Sequence, residues 1–83
     1  MYYIYILECN DNTLYTGYTI NLENRINTHN LGKGAKYTKG RLPVKLVYFE
    51  TYELKSDALK REIQIKKLGR LDKLKLIKKG RIV

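Results

Sequence analysis

Cysteine, proline and histidine each occur once in this chain of 83 residues, and tryptophan does not occur at all. A single cysteine, Cys9, excludes an intramolecular disulfide and is typical of a cytoplasmic protein. One cysteine and one histidine are also too few for a zinc site of the usual ligand set. The Gly32-Lys33-Gly34 stretch lacks the spacing of a phosphate-binding P-loop. An intramolecular disulfide, a zinc site of the usual ligand set and a P-loop are therefore excluded.

Long apolar runs are also missing. No segment approaches the roughly 20 apolar residues that a membrane-spanning helix needs. The first five residues carry no basic leader, so they do not resemble a signal peptide. We therefore expect a cytoplasmic protein with no membrane partner. Hydrophobic residues make up 43% of the chain, enough for one modest core, and the length predicts a single domain over residues 1–83.

Acidic residues are scarce relative to basic ones. The 17 Lys and Arg residues outnumber the 8 Asp and Glu residues and give a formal charge of +9. So strong a positive field on so small a body suits a polyanion, and nucleic acid is the predicted partner. The alternative is that the charge only keeps the protein soluble. Ten basic residues lie between Lys60 and Arg81, and an acid-free stretch supplies the predicted nucleic-acid contacts, Lys33, Lys36, Lys39 and Arg41.

Hydrophobic periodicity and turn residues predict the order β-β-α-β-α-α. An adjacent hairpin without a second βα crossover favours an α+β domain, with a three-stranded, mainly antiparallel sheet flanked by helices. Residues 32–43, which contain the only proline, are predicted to form a basic loop. The predicted strands are 2–7, 14–20 and 44–52, and the predicted helices are 22–30, 56–68 and 71–79.

The first predicted helix carries basic residues on its apolar side. Leu22 and Ile26 mark that side, and at roughly 100° per residue Arg25 and His29 fall within about 60° of Leu22. A basic residue directed at the core usually has a partner or a purpose. The alternative is that both side chains lie at the margin of the apolar stripe and extend to water.

Glu62 is a charged residue on the apolar side of the second predicted helix. It lies within the packed arc marked by Ala58, Leu59 and Ile65, and Lys66 follows it by one turn. A carboxylate in such a place must be paired, hydrogen-bonded or bound to a cation. A structural salt bridge and a cation site are both open at this point.

Five positions in order form a recognisable pattern. Ten residues separate Tyr5 from Tyr15, ten more separate Tyr15 from Arg25, and His29 follows Arg25 by four. The pattern resembles the signature of the GIY-YIG nuclease superfamily over nearly the whole chain. It is most similar to the small stand-alone bacterial GIY-YIG proteins and to the catalytic domain of the eukaryotic structure-specific endonuclease. The matching elements are Tyr3-Ile4-Tyr5, Tyr15-Thr16-Gly17, Arg25, His29 and the helix with Glu62.

The resemblance implies the GIY-YIG endonuclease fold and metal-dependent hydrolysis of phosphodiester bonds in DNA, with branched or flapped structures among the candidate substrates. It implies that Glu62 holds one divalent cation, Mg²⁺ or Mn²⁺. Tyr5 would activate the attacking water, with Tyr15 as a candidate to take part. We expect Arg25 and the cation to bring the pKa of Tyr5 down toward neutrality. Arg25 would also stabilise the developing phosphorane charge, and His29 would orient or deprotonate a tyrosine.

Two departures from the family pattern leave a second hypothesis open. Tyr3 replaces the first glycine, and the asparagine found near the C-terminus of several family nucleases has no clear counterpart. The missing asparagine favours a nucleic-acid-binding module that keeps the fold but has little activity alone. A basic protein–protein adaptor is a third, weaker interpretation.

Overall fold

The computed structural model describes residues 1–80, so Arg81 lies outside the described residues. It shows an α+β fold with one antiparallel sheet of three strands in the order β2-β1-β3, as predicted. None of the helices in residues 1–80 has the length and apolar character needed to cross a bilayer. The elements are β1 (Tyr2–Glu8), β2 (Leu14–Thr19), α1 (Leu22–Asn30), α2 (Lys36–Lys39), β3 (Lys45–Tyr52), α3 (Lys55–Lys66) and α4 (Arg70–Gly80).

The short helix α2 was not predicted. It forms one turn inside the stretch that the sequence assigns to a basic loop, and so corrects the prediction for residues 32–43. Its inward side chain is Thr38, which is fully buried and whose hydroxyl donates a hydrogen bond of 2.9 Å to the Ala35 carbonyl. A single turn is too short to show a hydrophobic period.

Strand β1 lies at the centre of the sheet and supplies both hydrophobic cores. Successive side chains of a strand point to opposite faces. Ile4 and Ile6 are both fully buried and pack on one face against Ala58 and Ile65 of α3 and Ile77 of α4. These two helices therefore cover the same side of the sheet.

Tyr5 and Leu7 point to the other face. They form a second core with Cys9 and with the apolar side of α1, represented by Leu22 and Ile26. The first helix thus covers the sheet on the side opposite to α3 and α4. Its start is fixed by Asn21, whose side-chain oxygen accepts the Asn24 backbone N–H at 3.0 Å.

An ion pair fastens α3 to β3. Arg61 approaches Glu50 with both Nε, at 3.0 Å, and Nη2, at 3.1 Å, and the hydroxyls of Tyr48 and Tyr52 also donate to this carboxylate. Burial alone would raise the pKa of Glu50, but these four hydrogen bonds outweigh it and hold the pKa below its ordinary value. The same burial and the acceptor Glu50 raise the pKa of Tyr48 and Tyr52 to about 12. The pair fixes α3 one residue before Glu62.

Candidate active site

Gly17 leaves space for the Tyr5 side chain to pass over the edge strand β2. The two residues are direct neighbours in the β1–β2 register. A Cβ atom at position 17 would lie 2.5 Å from Tyr5 Cζ and 2.9 Å from Cε2, so only glycine leaves room for the ring. The far end of the Tyr5 side chain therefore lies over β2, near the free edge of the sheet. The glycine of Tyr15-Thr16-Gly17 is therefore needed to leave space for the tyrosine ring that Tyr3-Ile4-Tyr5 provides.

A chain of three hydrogen bonds begins at the Tyr5 hydroxyl. It lies 2.9 Å from His29 Nε2, and His29 Nδ1 lies 2.9 Å from Thr38 Oγ1. Because the Thr38 hydroxyl donates its proton to the Ala35 carbonyl, it can only accept from His29. Nδ1 therefore carries the imidazole proton, and Nε2 accepts from Tyr5. The tautomer of His29 is thus set by α2.

His29 is completely buried, although it was expected to have the option of extending to water from the margin of α1. Gly34 makes this burial possible, because a Cβ there would lie 2.7 Å from His29 Cγ. Burial, and then the nearby positive charge of Arg25, lower the pKa of His29 below its ordinary value of 6.5. The imidazole is therefore neutral at pH 7 and able to accept a proton.

Burial and Arg25 act in opposite directions on the pKa of Tyr5. Burial is the largest influence and raises the pKa of Tyr5 above 10, while the half-buried Arg25 beside the hydroxyl lowers it only in part. The phenol is consequently protonated at neutral pH. Arg25 does lie where the sequence placed it, on the same side of α1 as His29 and next to Tyr5. The expectation that Arg25 and a cation together lower the pKa of Tyr5 toward neutrality stays a prediction, because Arg25 alone does not outweigh the effect of burial.

Tyr15 completes the aromatic cluster and is its more accessible phenol. Its ring meets His29 edge-on with centroids 5.3 Å apart, and lies 6.3 Å from the ring of Tyr5. On another side it stacks with Tyr37 of α2 at 5.9 Å. Tyr5 is 1% exposed, whereas Tyr15 is half-buried, so solvent approaches the cluster from the side of Tyr15.

Glu62 comes from α3, on the opposite face of the sheet. This helix contacts β2 as well as β1, and the Tyr5 ring reaches over β2. The negative charge of Glu62 is accordingly one of the influences that raise the pKa of Tyr5, and the smallest of those that act on it. The carboxylate also forms the salt bridge left open by the sequence, with Lys66 at 3.4 Å. Glu62 is therefore close to the cluster and already has one cationic neighbour.

Comparison with known proteins identifies this arrangement. The family model described as the GIY-YIG catalytic domain matches residues 1–75. The chain belongs to the GIY-YIG family, a nuclease-type family. Among its relatives, a UPF0213 protein of Syntrophus aciditrophicus is 62% identical over 94% of this chain and 91% of its own length. A second, from Clostridium perfringens, is 64% identical over 93% of this chain and 83% of its own.

Two solution NMR structures share the fold of this GIY-YIG domain. The UPF0213 protein BH0048 of Bacillus halodurans is 46% identical, with a TM-score of 0.63 over 96% of this chain and 87% of that one. The protein EF2693 of E. faecalis is 41% identical, with a TM-score of 0.64 over 94% and 83% respectively. Fold and family therefore agree between sequence, structure and relatives.

The donor chemistry of the GIY-YIG domain fits one hard cation. Within residues 1–80, no three His, Cys, Asp or Glu side chains gather into a metal cluster. Mg²⁺ is commonly held by one or two carboxylates, with water and substrate phosphate oxygens completing its octahedron. Glu62 would supply the protein carboxylate that such a cation needs. The family's nucleases usually use a divalent metal.

The four predicted nucleic-acid contacts have different surroundings. Lys33, Lys36 and Lys39 are exposed. Arg41 instead donates to Asp11 at 2.8 Å, and its guanidinium carbon lies 4.3 Å over the ring of Tyr37. Arg41 therefore helps to hold α2 against the β1–β2 turn.

Two residues of the site were missed by sequence reasoning. Thr38 holds His29, and Tyr37 supports Tyr15, yet both lie in the stretch assigned to a loop. The one available signal was their polar and aromatic character between lysines, which also suits an exposed loop.

Proposed function

We propose that this GIY-YIG domain is a metal-dependent endonuclease that hydrolyses phosphodiester bonds in DNA, with branched and flapped structures among its candidate substrates. The observation that supports this most is the buried chain from Tyr5 through His29 to Thr38. The tautomer of His29 leaves Nε2 ready to accept a phenol proton, a property that catalysis would use and that binding alone does not require.

In this proposal the protein itself supplies a route for a proton. Tyr5 is the residue that activates the attacking water: its phenol oxygen takes a proton from that water and passes its own proton to His29 Nε2 over the existing 2.9 Å hydrogen bond. The Nδ1 proton stays on the ring and is donated to the Thr38 hydroxyl oxygen, so the imidazolium is held in place. Arg25 offsets the negative charge that forms on the phenol and on the phosphate. A cation held by Glu62 would supply Lewis-acid stabilisation of the phosphate and the leaving oxygen when bound.

Tyr15 is the alternative for direct contact with the water. It is half-buried where Tyr5 is almost fully enclosed, and it packs against the same imidazole. Under this assignment Tyr5 and His29 keep Tyr15 in place and tune the charge around it. Separate Tyr5→Phe and Tyr15→Phe variants distinguish the two assignments, because replacing the phenol that contacts water reduces activity far more.

The test is cleavage of linear, flapped and branched DNA, with Mg²⁺ or Mn²⁺ and with chelator. We expect Glu62→Gln to fold, to bind DNA and to lose cation-dependent cleavage by several orders of magnitude, because metal stabilisation of phosphoryl transfer contributes several kcal/mol and each ~1.4 kcal/mol is tenfold in rate. Glu53→Gln, the same change at an exposed carboxylate, is the control. Tyr3→Phe, on the same strand and face, serves as the control for Tyr5→Phe. Full activity in Glu62→Gln would contradict the catalytic assignment.

The second candidate function is a nucleic-acid-binding module with little activity alone. It is favoured by the near-complete burial of Tyr5 and His29 and by the Lys66 partner of Glu62. The Glu62 side chain is 18% exposed and that of Lys66 is 51% exposed, so the pair is neither a surface pair nor a fully buried one. A purely structural Glu62 therefore predicts a loss of stability between the ~0.5 kcal/mol of an exposed pair and the ~3–5 kcal/mol of a buried one, with no direct effect on cleavage. Binding without cleavage under every metal condition would favour this candidate.

The cytoplasmic location and the single domain over residues 1–83 belong to the same proposal. A buried, reduced Cys9 suits a reducing compartment.

A further inference from the structure

The positive charge of the protein is concentrated in two places. Residues 60–80 contain nine Lys or Arg side chains against two acids, Glu62 and Asp72, and residues 33–41 contain four with no acid. The rest of the described chain has more acidic than basic residues. The field that draws a polyanion therefore comes from α4 with the end of α3, and from the basic segment (residues 33–41), rather than from the sheet.

These two regions meet at the β1–β2 turn. One surface hollow is lined by Lys36, Tyr37 and Arg41 together with Asp11. A second hollow lies between α2 and the first turn of α4, and it is lined by Tyr37, Arg70 and Lys73 with Thr13 of the turn and Leu14 at the start of β2. Tyr37 belongs to both hollows. Arg70 donates to the Asn12 carbonyl at 2.8 Å, which holds the start of α4 against the turn.

We propose that these hollows form one binding path for an unpaired nucleic-acid strand, running from Lys36 past Tyr37 to Arg70 and Lys73. We call this surface the turn path. It rests on the proposed function in one respect, that nucleic acid is the substrate. The strand would pass directly beside Tyr15, because Tyr15 stacks on Tyr37.

The charge of the lining favours a polynucleotide on this path. The one carboxylate that lines the two hollows, Asp11, is already bound by Arg41, so the lining keeps a net positive charge. Phosphates of a passing strand are the complement of that lining.

The aromatic content favours an unpaired strand over a duplex. Tyr37 keeps 42% of its surface exposed although Tyr15 stacks on it and the Arg41 guanidinium lies over its ring. Unpaired bases join such stacks of rings and guanidinium planes without regard to sequence, and each adds binding energy. The bases of a duplex are already stacked on each other and cannot do so. The turn path therefore predicts a preference for single strands or for substrates with an unpaired tail.

Charge reversal at Lys73 tests the path. Fluorescence anisotropy with a short labelled oligothymidylate, over a range of salt, compares wild type with Lys73→Glu and Lys75→Glu. Both lysines belong to α4 and the net charge change is identical, but two residues along a helix are about 200° apart, so Lys75 points away from the path. We expect Lys73→Glu to weaken binding several-fold and to reduce the slope of log K against log salt by about 0.7 for each phosphate that is no longer neutralised. Lys75→Glu should leave the slope unchanged.

Two results would overturn the inference. Equal weakening in Lys73→Glu and Lys75→Glu would mean that only total charge matters. A blunt duplex bound as tightly as the single strand, with the same sensitivity to Lys73→Glu, would contradict the preference for an unpaired strand. Lys73→Gln, which removes the charge without reversing it, repeats the comparison should the reversal prevent folding, and Tyr37→Phe should bind like wild type because the ring is kept. Failure of the proposed function looks different, since a chain that binds the strand on this path but cleaves nothing retains the path and lacks only the nuclease activity.

Discussion

Alanine at position 17 should disturb the site by displacing Tyr5. The Cβ atom would lie 2.5 Å from Tyr5 Cζ, and contacts of a Cβ atom shorter than 3.0 Å are essentially never observed. The backbone of Gly17 is ordinary strand and not left-handed, so alanine itself is not strained there. The ring of Tyr5 must therefore move, and this movement breaks the 2.9 Å hydrogen bond to His29.

The size of the effect follows from three contributions. Overpacking a well-filled site costs about 1–3 kcal/mol, and leaving a buried imidazole nitrogen without its partner costs about 1–3 kcal/mol. The lower conformational entropy of the unfolded alanine chain offsets about 0.4–1 kcal/mol. Because a shift of one ring gives rise to both costs, they do not add fully, and we expect a net destabilisation of about 1–3 kcal/mol. For a domain of this size, each kcal/mol lowers Tm by about 4–8 °C.

Thermal unfolding followed by circular dichroism measures this, with Gly40→Ala as the matched control. A Cβ at Gly40 meets nothing within 4 Å, so its Tm should stay the same or rise slightly. In a Tyr5→Ala background, Gly17→Ala should no longer destabilise, because the clashing ring is gone. A Gly17→Ala protein with wild-type Tm and an unchanged Tyr5–His29 hydrogen bond would refute the steric account of the motif glycine.

Two further predictions concern protonation. The only histidine of the chain is His29, so its ¹⁵N signals are unambiguous, and we expect them to show the Nδ1–H tautomer and a pKa below 6.5. The free energy of unfolding should also fall as pH drops below about 6.5, because the unfolded state then binds a proton that the folded state does not bind. Signals of an Nε2–H tautomer, or titration above 6.5, would contradict the hydrogen-bond chain. Glu50→Gln should destabilise at pH 7 by more than the ~1 kcal/mol of an exposed pair and by less than the ~3–5 kcal/mol of a fully buried one, since Arg61 loses its partner. As the pKa of Glu50 is lowered, urea titrations should show the gap from wild type shrinking as pH falls below 4.5, and a constant gap would argue against a charge effect.

Much of this fold is predictable because it is local. Alternation in β1, the turn at residues 10–12 and the caps of α1 are properties of neighbouring residues, and the predicted strands and long helices agree with the structure to within a residue or two at most ends. The positions of Arg25 and His29 on the inner side of α1 follow from helical periodicity alone.

The interactions that could not be predicted join distant parts of the chain. Asp11 and Arg41 are 30 residues apart, and Glu50 and Arg61 are 11 apart, so no pattern in either segment indicates the other. The strength of burial relative to Arg25 at Tyr5 could not be predicted for the same reason, since the extent of burial depends on how α1 packs on the sheet. Gly17 was noted in the sequence, but its cause became clear only with Tyr5 beside it.

The alternation of β1 has a practical consequence for engineering. Even-numbered positions, such as Ile4 and Ile6, belong to the core under α3 and α4, and odd-numbered ones, such as Tyr5 and Leu7, to the core under α1. Substitutions at Ile4 and Ile6 thus lie on the opposite side of β1 from Tyr5, so their effects on stability should combine almost additively with changes at Tyr5 and His29. Changes at Ala58 and Ile65 share α3 with Glu62 and should couple to it. An insertion or deletion of one residue in β1 would exchange the two sets and place the tyrosine in the wrong core. The strand can accept new side chains on one face, but its length cannot change.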